Sequence, residues 1–211
     1  KGENPNINKK LALDLGCGSG ILAIFASKYY EKIQAIDLDP RTIKCAEENT
    51  KNFNNIQIIN ADTTQHEFES TPDLIICEML DTALIEEEEV LTFNQIHNKI
   101  KSYTEIIPYG IINKIEPVCM EDNIIMYEDL ESQPKYNIIG ESVIYDIIRF
   151  KDYINPAFNK TIPFYITKNS TFNGVKITTY TLLNQKLICG PTPMLNPELI
   201  IPLPKELDAH Q

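Results

Sequence analysis

The 211-residue sequence contains no tryptophan, only three histidines and no long uninterrupted apolar run. The histidines, His66, His97 and His210, lack metal-ligand spacing, which disfavours a metal site. The longest apolar runs, such as residues 21–26 and 74–77, are far too short to cross a bilayer. The first residues are polar and show no signal-peptide pattern. These absences argue against a metalloprotein and against a membrane protein.

Basic residues are also scarce, with 19 Lys and Arg against 30 Asp and Glu, and the net charge is −11. A protein that binds a phosphate backbone needs a basic face, and no Lys/Arg cluster supplies one. Nucleic acid is therefore disfavoured as the main partner. An acidic surface would attract a cationic protein or peptide, although solubility alone also accounts for the charge.

The five cysteines are odd in number, widely spread and free of any Cys-x-x-Cys pair. This usage predicts reduced, partly buried thiols in a cytoplasmic protein. The length permits one large domain, or one domain of about 100–150 residues with a smaller second one.

The most informative feature is a glycine-rich turn between a strand-like and a helix-like segment. Leu11–Leu15 runs into Gly16, Gly18 and Gly20, and an apolar helical pattern over residues 21–30 follows at once. Glycine permits a tight turn and lets a ligand approach the backbone without meeting a Cβ. We therefore predict a cofactor loop at the carboxyl end of the first strand of an open α/β sheet.

The spacing of this loop distinguishes between cofactors. A dinucleotide fingerprint needs glycine three positions after Gly18, where the chain has Ile21. The pattern Gly-x-Gly-x-Gly, with Asp14 two residues before it, resembles motif I of the class I S-adenosylmethionine-dependent methyltransferases. The resemblance implies a Rossmann-like doubly wound α/β domain and S-adenosyl-L-methionine as cofactor. It further implies that the methionine part of the cofactor lies over Gly16, Cys17, Gly18 and Gly20, and that Asp14 holds its amino group. The alternative is a structural strand–helix turn.

Two further acids follow strands and complete the predicted cofactor site. Asp37 ends the second strand, 23 residues after Asp14, where a carboxylate can accept bonds from both ribose hydroxyls; Leu38 adjoins it. Asp39, before Pro40, is expected to cap the next helix instead.

After a third strand at residues 56–60 come Asp62 and Thr63. In the methyltransferase class an acid at this position bonds the adenine amino group, so both residues are assigned to the cofactor. The alternative is a polar turn.

A fourth strand, apolar on both faces, delivers Glu78 to the carboxyl edge of the sheet. Glu78 and Glu87 are nine positions apart, and the segment between them resembles the double-glutamate loop of the protein arginine methyltransferases. The resemblance makes them the catalytic pair, because two carboxylates can grip a planar guanidinium and orient one nitrogen. For Glu78 the alternative is an accidental strand end, and for Glu87 an acidic helix start within the run of acids at residues 86–89.

The following helix is expected to extend to about Tyr103, with Phe93, Ile96, Ile100 and Tyr103 facing the sheet. We place the cofactor domain at residues 1–107. Residues 108–211 contain most of the prolines and short turn-bounded strands, which predicts a second, β-rich domain with antiparallel pairing. The resemblance implies a barrel-like substrate domain here.

Two departures from the arginine methyltransferases stand out. The family has a Thr-His-Trp loop near the end of the barrel; here Thr192 matches, but Pro193 and Met194 replace His and Trp. Only ten residues precede the first strand, where the family has helices that cover the cofactor.

The leading hypothesis is a methyltransferase acting on a nitrogen of a protein arginine side chain, with a protein or peptide substrate; a homodimer is left open. The alternatives are another acceptor, namely another protein side chain, a small amine or RNA, and a cofactor-binding module without turnover.

Overall fold

The computed structural model describes residues 10–194 and 196–210. The chain forms two compact units. The first comprises the chain through Met79 together with Glu88–Pro108 and Phe150–Tyr153. The second comprises Leu80–Glu87, Tyr109–Arg149 and the chain from Ile154 onward. The domain division at residues 107 and 108 stays a prediction.

The first unit is built on a five-stranded parallel sheet with the order β3-β2-β1-β4-β5. Its strands are β1 (Leu11–Leu15), β2 (Lys32–Asp37), β3 (Ile56–Asn60), β4 (Leu74–Cys77) and β5 (Glu105–Ile107). β1 and β4 are buried along their whole length, because they lie at the centre of the sheet and are covered on both faces. The predicted open α/β fold is confirmed, and all five strands present their carboxyl ends at one edge.

Within the described residues, the α-helices of this unit are α1 (Ile21–Ala26), α2 (Pro40–Thr50) and α3 (Glu89–Ile96). The predicted cap of α2 is confirmed: the Asp39 carboxylate accepts the Arg41 N–H at 2.8 Å, and Pro40 occupies the first helical position. α1 is shorter than predicted, because turns replace the helix after Ala26.

The prediction of a helix to Tyr103 is wrong. α3 ends at Ile96, a 3₁₀ turn covers His97–Lys99, and Ile100 is extended as the chain turns toward β5. Phe93 and Ile96 are buried, and Phe93 stacks on Phe150 with ring centroids 4.6 Å apart. Tyr103 is 62% exposed, so the expected apolar stripe stops after one turn of helix.

The second unit is an antiparallel sheet of seven strands, as its turn-bounded pattern predicts. They are β6 (Gly110–Met120), β7 (Met126–Glu128), β8 (Tyr136–Ile138), β9 (Val143–Arg149), β10 (Ser170–Leu182), β11 (Ile188–Cys189) and β12 (Glu198–Ala209). The main order is β7-β12-β10-β6-β8, with β9 paired to β6 and β11 to β10. Closure of this sheet into a barrel stays a prediction.

No helix within residues 10–194 and 196–210 has the length and apolar character needed to cross a membrane. All five cysteines are free thiols; Cys17 and Cys77 are buried, whereas Cys45 and Cys189 are exposed.

Candidate active site

The glycine loop joins β1 to α1 through three left-handed residues. The φ angles of Gly16, Gly18 and Gly20 are 71°, 52° and 78°, a region that residues with a Cβ rarely adopt. The N–H groups of Gly16 and Cys17 both donate to the Ile36 carbonyl at 2.9 Å, which fixes the start of the loop against β2.

The three glycines differ in what surrounds them. A Cβ on Gly16 would lie 2.7 Å from Cγ of Met79, and one on Gly20 would lie 3.2 Å from Cγ2 of Thr50. A Cβ on Gly18 would meet nothing within 4 Å. A side chain at Gly16 or Gly20 would therefore have to displace its neighbours, whereas Gly18 borders open space at the centre of the loop.

Asp37 at the end of β2 connects to this loop. Its Oδ2 accepts the Gly18 N–H at 2.8 Å, and its Oδ1 accepts the Asp39 N–H at 2.9 Å and the Thr42 hydroxyl at 2.8 Å. An ionised carboxylate offers about four acceptor sites, so three internal bonds leave capacity for a ligand hydroxyl. The ribose role of Asp37 stays a prediction.

Asp14 lies inside β1 and is 1% exposed. Its Oδ2 accepts the Ala23 N–H from the first turn of α1 at 2.9 Å. Burial, reinforced by the charge of Asp37, raises the pKa of Asp14 to about 7, although the bond from Ala23 opposes the shift. A cation close to Asp14 would favour its ionised form.

Four carboxylates contribute negative electrostatic potential at the carboxyl edge of the sheet, namely Asp14, Asp37, Glu78 and Glu89. Burial, then the charges of Glu89, Asp14 and Glu78, raise the pKa of the Cys77 thiol well above its ordinary value. Burial, then Asp14 and Asp37, raise the pKa of Cys17 to about 12. Both thiols therefore stay protonated at neutral pH. Such an edge is electrostatically complementary to a cation.

The remaining predicted cofactor residues have local partners. Asp62 accepts the backbone N–H and the hydroxyl of Thr64, at 2.9 Å and 2.6 Å, which lower its pKa. The Thr63 hydroxyl shares a 2.8 Å hydrogen bond with the Thr92 hydroxyl on α3. The Leu38 side chain is 62% exposed. These contacts are those of a polar turn, and the cofactor roles of all three residues stay predictions.

The two catalytic candidates belong to different units. Glu78 is exposed immediately after β4 in the first unit, and Glu87 is exposed in the segment Leu80–Glu87, which belongs to the second. We call this segment the post-β4 loop. Within this loop, the Asp81 carboxylate accepts the N–H groups of Ile85 and Glu86 at 2.9 Å and 2.8 Å.

Strained backbone lies at the centre of the post-β4 loop. Ala83 and Leu84 have φ angles of 62° and 56° although both carry a Cβ. Each such residue costs roughly 1–3 kcal/mol and persists only where its surroundings hold it. Burial raises the pKa of Asp81 against the opposing N–H bonds, and its Oδ1 is buried without a hydrogen-bond partner in the described part of the chain.

The run of acids at residues 86–89 separates into distinct structural roles. Burial, and then a hydrogen bond from the Tyr127 hydroxyl to the Glu86 carboxylate, raises the pKa of Tyr127 to about 12. Glu88 is the N-cap residue of α3, and its carbonyl accepts the Thr92 N–H at 2.9 Å. Glu89 is completely buried, and its Oε2 accepts the Met79 N–H at 3.3 Å.

The sequence pattern does not distinguish Glu89 from the other acids of the helix start. The Glu89 side chain is buried and contacts Met79, the residue after Glu78, whereas Glu86, Glu87 and Glu88 are exposed. The only available signal is that residue 89 begins the apolar periodicity of α3.

The segment compared above with the Thr-His-Trp loop of the arginine methyltransferases contains Thr192 and Met194. The Thr192 N–H donates to Asn196 Oδ1 at 3.1 Å, and Met194 is 80% exposed.

Comparison with known proteins identifies the family. Residues 3–132, more than half of the chain, match the family model described as ribosomal protein L11 methyltransferase (PrmA). The chain belongs to this methyltransferase family. It is an S-adenosylmethionine-dependent methyltransferase of class I, and S-adenosylmethionine is its cofactor.

Individual relatives of this PrmA-family chain differ in how much of it they cover. An uncharacterized protein of Methanothermobacter thermautotrophicus is 41% identical over 193 residues, covering 92% of this chain and 75% of the relative. The ribosomal protein L11 methyltransferase of Campylobacter lari is 33% identical over 111 residues, covering 51% of this chain and 37% of the enzyme.

A solved structure is similar over nearly the whole chain. The Trypanosoma brucei PRMT1 enzyme–prozyme heterotetrameric complex with AdoHcy matches with a TM-score of 0.75 and 16% identity, covering 96% of this chain and 75% of that one. At this identity the similarity establishes a shared fold.

The first unit fits the cofactor on its own geometry. S-adenosylmethionine is a sulfonium that also carries an ammonium group. Asp37 and Glu78 lie at the carboxyl edge of the sheet, and Asp14 is buried one residue before the end of β1. Gly18 leaves the centre of the loop open to a ligand. The charge and the space at this edge therefore suit the cofactor that the family uses.

Proposed function

We propose that this methyltransferase transfers a methyl group to a nitrogen of an arginine side chain in a protein or peptide. The observation that carries the proposal is Glu78, an exposed carboxylate at the carboxyl end of β4. β4 pairs with β1, which bears Asp14, and β1 pairs on its other side with β2, which ends in Asp37. In an open α/β sheet, ligands bind outside the carboxyl ends of the strands. A carboxylate at that place suits a cationic acceptor next to the cofactor.

The proposed catalytic residues are Glu78 and Glu87. A guanidinium is planar, stays charged at neutral pH and offers pairs of N–H donors that match a carboxylate. Glu78 binds and orients it, and a carboxylate beside the reacting nitrogen takes up or stabilises its proton. The identity of the second glutamate is supported by its neighbours, because Glu86 is bonded to Tyr127 and Glu89 is buried.

The proposed cofactor residues follow the same edge. Asp14 would hold the amino group, Asp37 the ribose and Asp62 the adenine, with Leu38 and Thr63 beside them. Gly16, Cys17, Gly18 and Gly20 would lie under the methionine part. When bound, S-adenosylmethionine supplies an electrophilic methyl group. The protein contributes orientation and the placement of negative charge.

The second unit supports a protein acceptor. The fold shared with a protein arginine methyltransferase extends over 96% of the chain, including its β-rich part. The acidic net charge of −11 also suits a basic peptide. Cytoplasmic localisation and a homodimer stay predictions.

A second candidate is transfer to a primary amine of a ribosomal protein. The match to the ribosomal protein L11 methyltransferase family favours it, as does the presence of Pro193 and Met194 where arginine methyltransferases have His and Trp. A single carboxylate suffices to bind an ammonium, so this acceptor would depend less on a pair of glutamates.

Competition between two acceptors tests the proposal. Paired peptides that differ only in arginine or lysine are incubated with labelled S-adenosylmethionine and with wild-type, Glu78→Gln, Glu87→Gln or Glu88→Gln protein. We expect transfer to arginine, a loss of about 100-fold or more in the first two variants, and wild-type rates for Glu88→Gln. Isothermal titration should show that Glu78→Gln still binds the cofactor.

Transfer to lysine alone would select the second candidate and overturn the first. Cofactor binding without transfer to either peptide, to basic ribosomal protein or to RNA would indicate a non-catalytic module. Equal turnover of Glu78→Gln and wild type would remove Glu78 from the mechanism.

A further inference from the structure

Two consecutive left-handed residues, Ala83 and Leu84, lie just before Glu87 in the post-β4 loop. Such backbone persists only where the surrounding structure holds it in place. On the C-terminal side, Asp81 accepts the N–H groups of Ile85 and Glu86. On the other side the partner is a side chain nearly 100 residues later in the sequence.

That partner is Thr179 on β10. Its Oγ1 accepts the Ala83 N–H at 2.8 Å and donates to Asn113 Oδ1 at 2.7 Å. A hydroxyl has one proton, so its donation to Asn113 fixes its direction and leaves a lone pair for Ala83. Thr179 is completely buried, and Asn113 is 2% exposed. The Thr179 hydroxyl that accepts the Ala83 N–H is therefore itself fixed by its hydrogen bond to Asn113.

A second buried amide fixes the backbone of the same threonine. Asn196, 2% exposed, donates from Nδ2 to the Thr179 carbonyl at 2.8 Å. The Thr82 hydroxyl, next to Ala83, donates to the Pro197 carbonyl. All these groups belong to the second unit, so the post-β4 loop is fixed by the β-rich part of the chain although it follows β4 in sequence.

We propose that Thr179 is a positioning residue for the methyl-transfer reaction: its hydroxyl holds Ala83 in the left-handed conformation that orients the loop segment carrying Glu87. This inference rests on the role proposed for Glu87. Thr179 acts through the backbone and touches neither cofactor nor acceptor. Its effect should therefore appear in acceptor turnover and leave cofactor affinity unchanged.

The test compares Thr179→Val, which keeps the shape and removes the hydroxyl, with Thr179→Ser, which restores it. Thr181→Val is the matched control, since Thr181 is a buried threonine on the same face of β10. For each variant we would measure kcat and KM for the acceptor peptide, the Kd for S-adenosylmethionine by titration, and hydrogen–deuterium exchange over residues 80–87.

Thr179→Val is expected to lower kcat about 10-fold or more, because small displacements of a positioning group have large effects on rate. Its cofactor Kd should be unchanged, and exchange at Ala83 to Glu87 should accelerate. Thr179→Ser and Thr181→Val should resemble wild type. A merely structural role would reduce the folded fraction without changing the kcat of the folded enzyme.

Unchanged exchange over residues 80–87 in Thr179→Val would overturn the inference, as would a wild-type kcat in the folded variant. Were the wild-type protein to transfer methyl groups to no acceptor, the proposed function would fail. Accelerated hydrogen–deuterium exchange of the post-β4 loop in Thr179→Val would then still show that Thr179 fixes the backbone of this loop.

Discussion

The Asp37 carboxylate accepts the Gly18 N–H at 2.8 Å, which joins the end of the second strand to the middle of the glycine loop. The residue proposed to bind the ribose thus also fixes the backbone over which the methionine part is expected to lie. Cofactor affinity should depend on this carboxylate for both reasons.

We therefore expect Asp37→Asn to fold and to lower the affinity for S-adenosylmethionine by about 10- to 100-fold, since one oxygen becomes an amide nitrogen that cannot accept a bond. Isothermal titration measures this change. Asp39→Asn is the control, because asparagine is also a good N-cap residue. Equal affinities of the two variants would contradict a role of Asp37 in cofactor binding.

The Gly18→Ala variant should lower cofactor affinity much more than it lowers the free energy of unfolding. A Cβ at this position meets nothing within 4 Å, so the expected loss in the free energy of unfolding is about 1–2 kcal/mol from the φ of 52°. Cofactor affinity should fall much more, because the added methyl occupies the open centre of the loop. Gly190→Ala, at a φ of 86° in the second unit, should lose stability and keep its affinity. Urea unfolding and titration give the two quantities, and intact binding by Gly18→Ala would contradict a ligand over this glycine.

Asp14 makes both stability and cofactor binding depend on pH. Its folded-state pKa of about 7 exceeds the ordinary value of 3.8, so the folded state retains a proton that the unfolded state releases between these values. Its contribution to the free energy of unfolding is therefore fully present below about pH 4. It declines as pH rises toward 7, by up to about 4 kcal/mol. Unfolding of wild type and Asp14→Asn at pH 5 and pH 8 should reveal this difference.

Binding should show the opposite pH trend, because the ammonium of the cofactor favours ionised Asp14. The affinity of wild type is expected to rise from pH 5.5 to pH 7.5, by up to about tenfold per unit below pH 7. Asp14→Asn should lose this dependence. A pH-independent affinity in wild type would show that Asp14 does not face the amino group.

Glu89 and Glu88 are adjacent glutamates with opposite surroundings. Glu89→Ala should lower the free energy of unfolding by about 2–4 kcal/mol, since it leaves the Met79 N–H without its acceptor and opens a cavity. Glu88→Ala, on an exposed side chain, should change it by less than about 0.5 kcal/mol. Denaturant titration compares them, and similar losses would mean that the burial of Glu89 is not stabilising.

The first half of the fold could be predicted from the sequence because its signals are local. The first strand, Asp14 and the three glycines all occur within residues 11–20, and two adjacent residues, Asp39 and Pro40, suffice to predict the cap of α2. The end of α3 was missed, because residues 97–103 keep an apolar periodicity while the chain must leave the helix to enter β5.

The site was only partly predictable. Glu78 follows from strand length, but the roles within residues 86–89 depend on partners far away in sequence, such as Tyr127 for Glu86. Thr179 gave no signal at all, since a threonine in a β-strand is ordinary and its bond to Ala83 is a tertiary contact.

The most direct test of the proposed reaction is fragmentation mass spectrometry of a basic peptide containing both arginine and lysine after incubation with S-adenosylmethionine. We expect a methyl group on an arginine side-chain nitrogen with wild-type protein and with Glu88→Gln, and almost none with Glu78→Gln. Methylation confined to lysine or to the peptide's amino terminus, or equal methylation by Glu78→Gln, would contradict it.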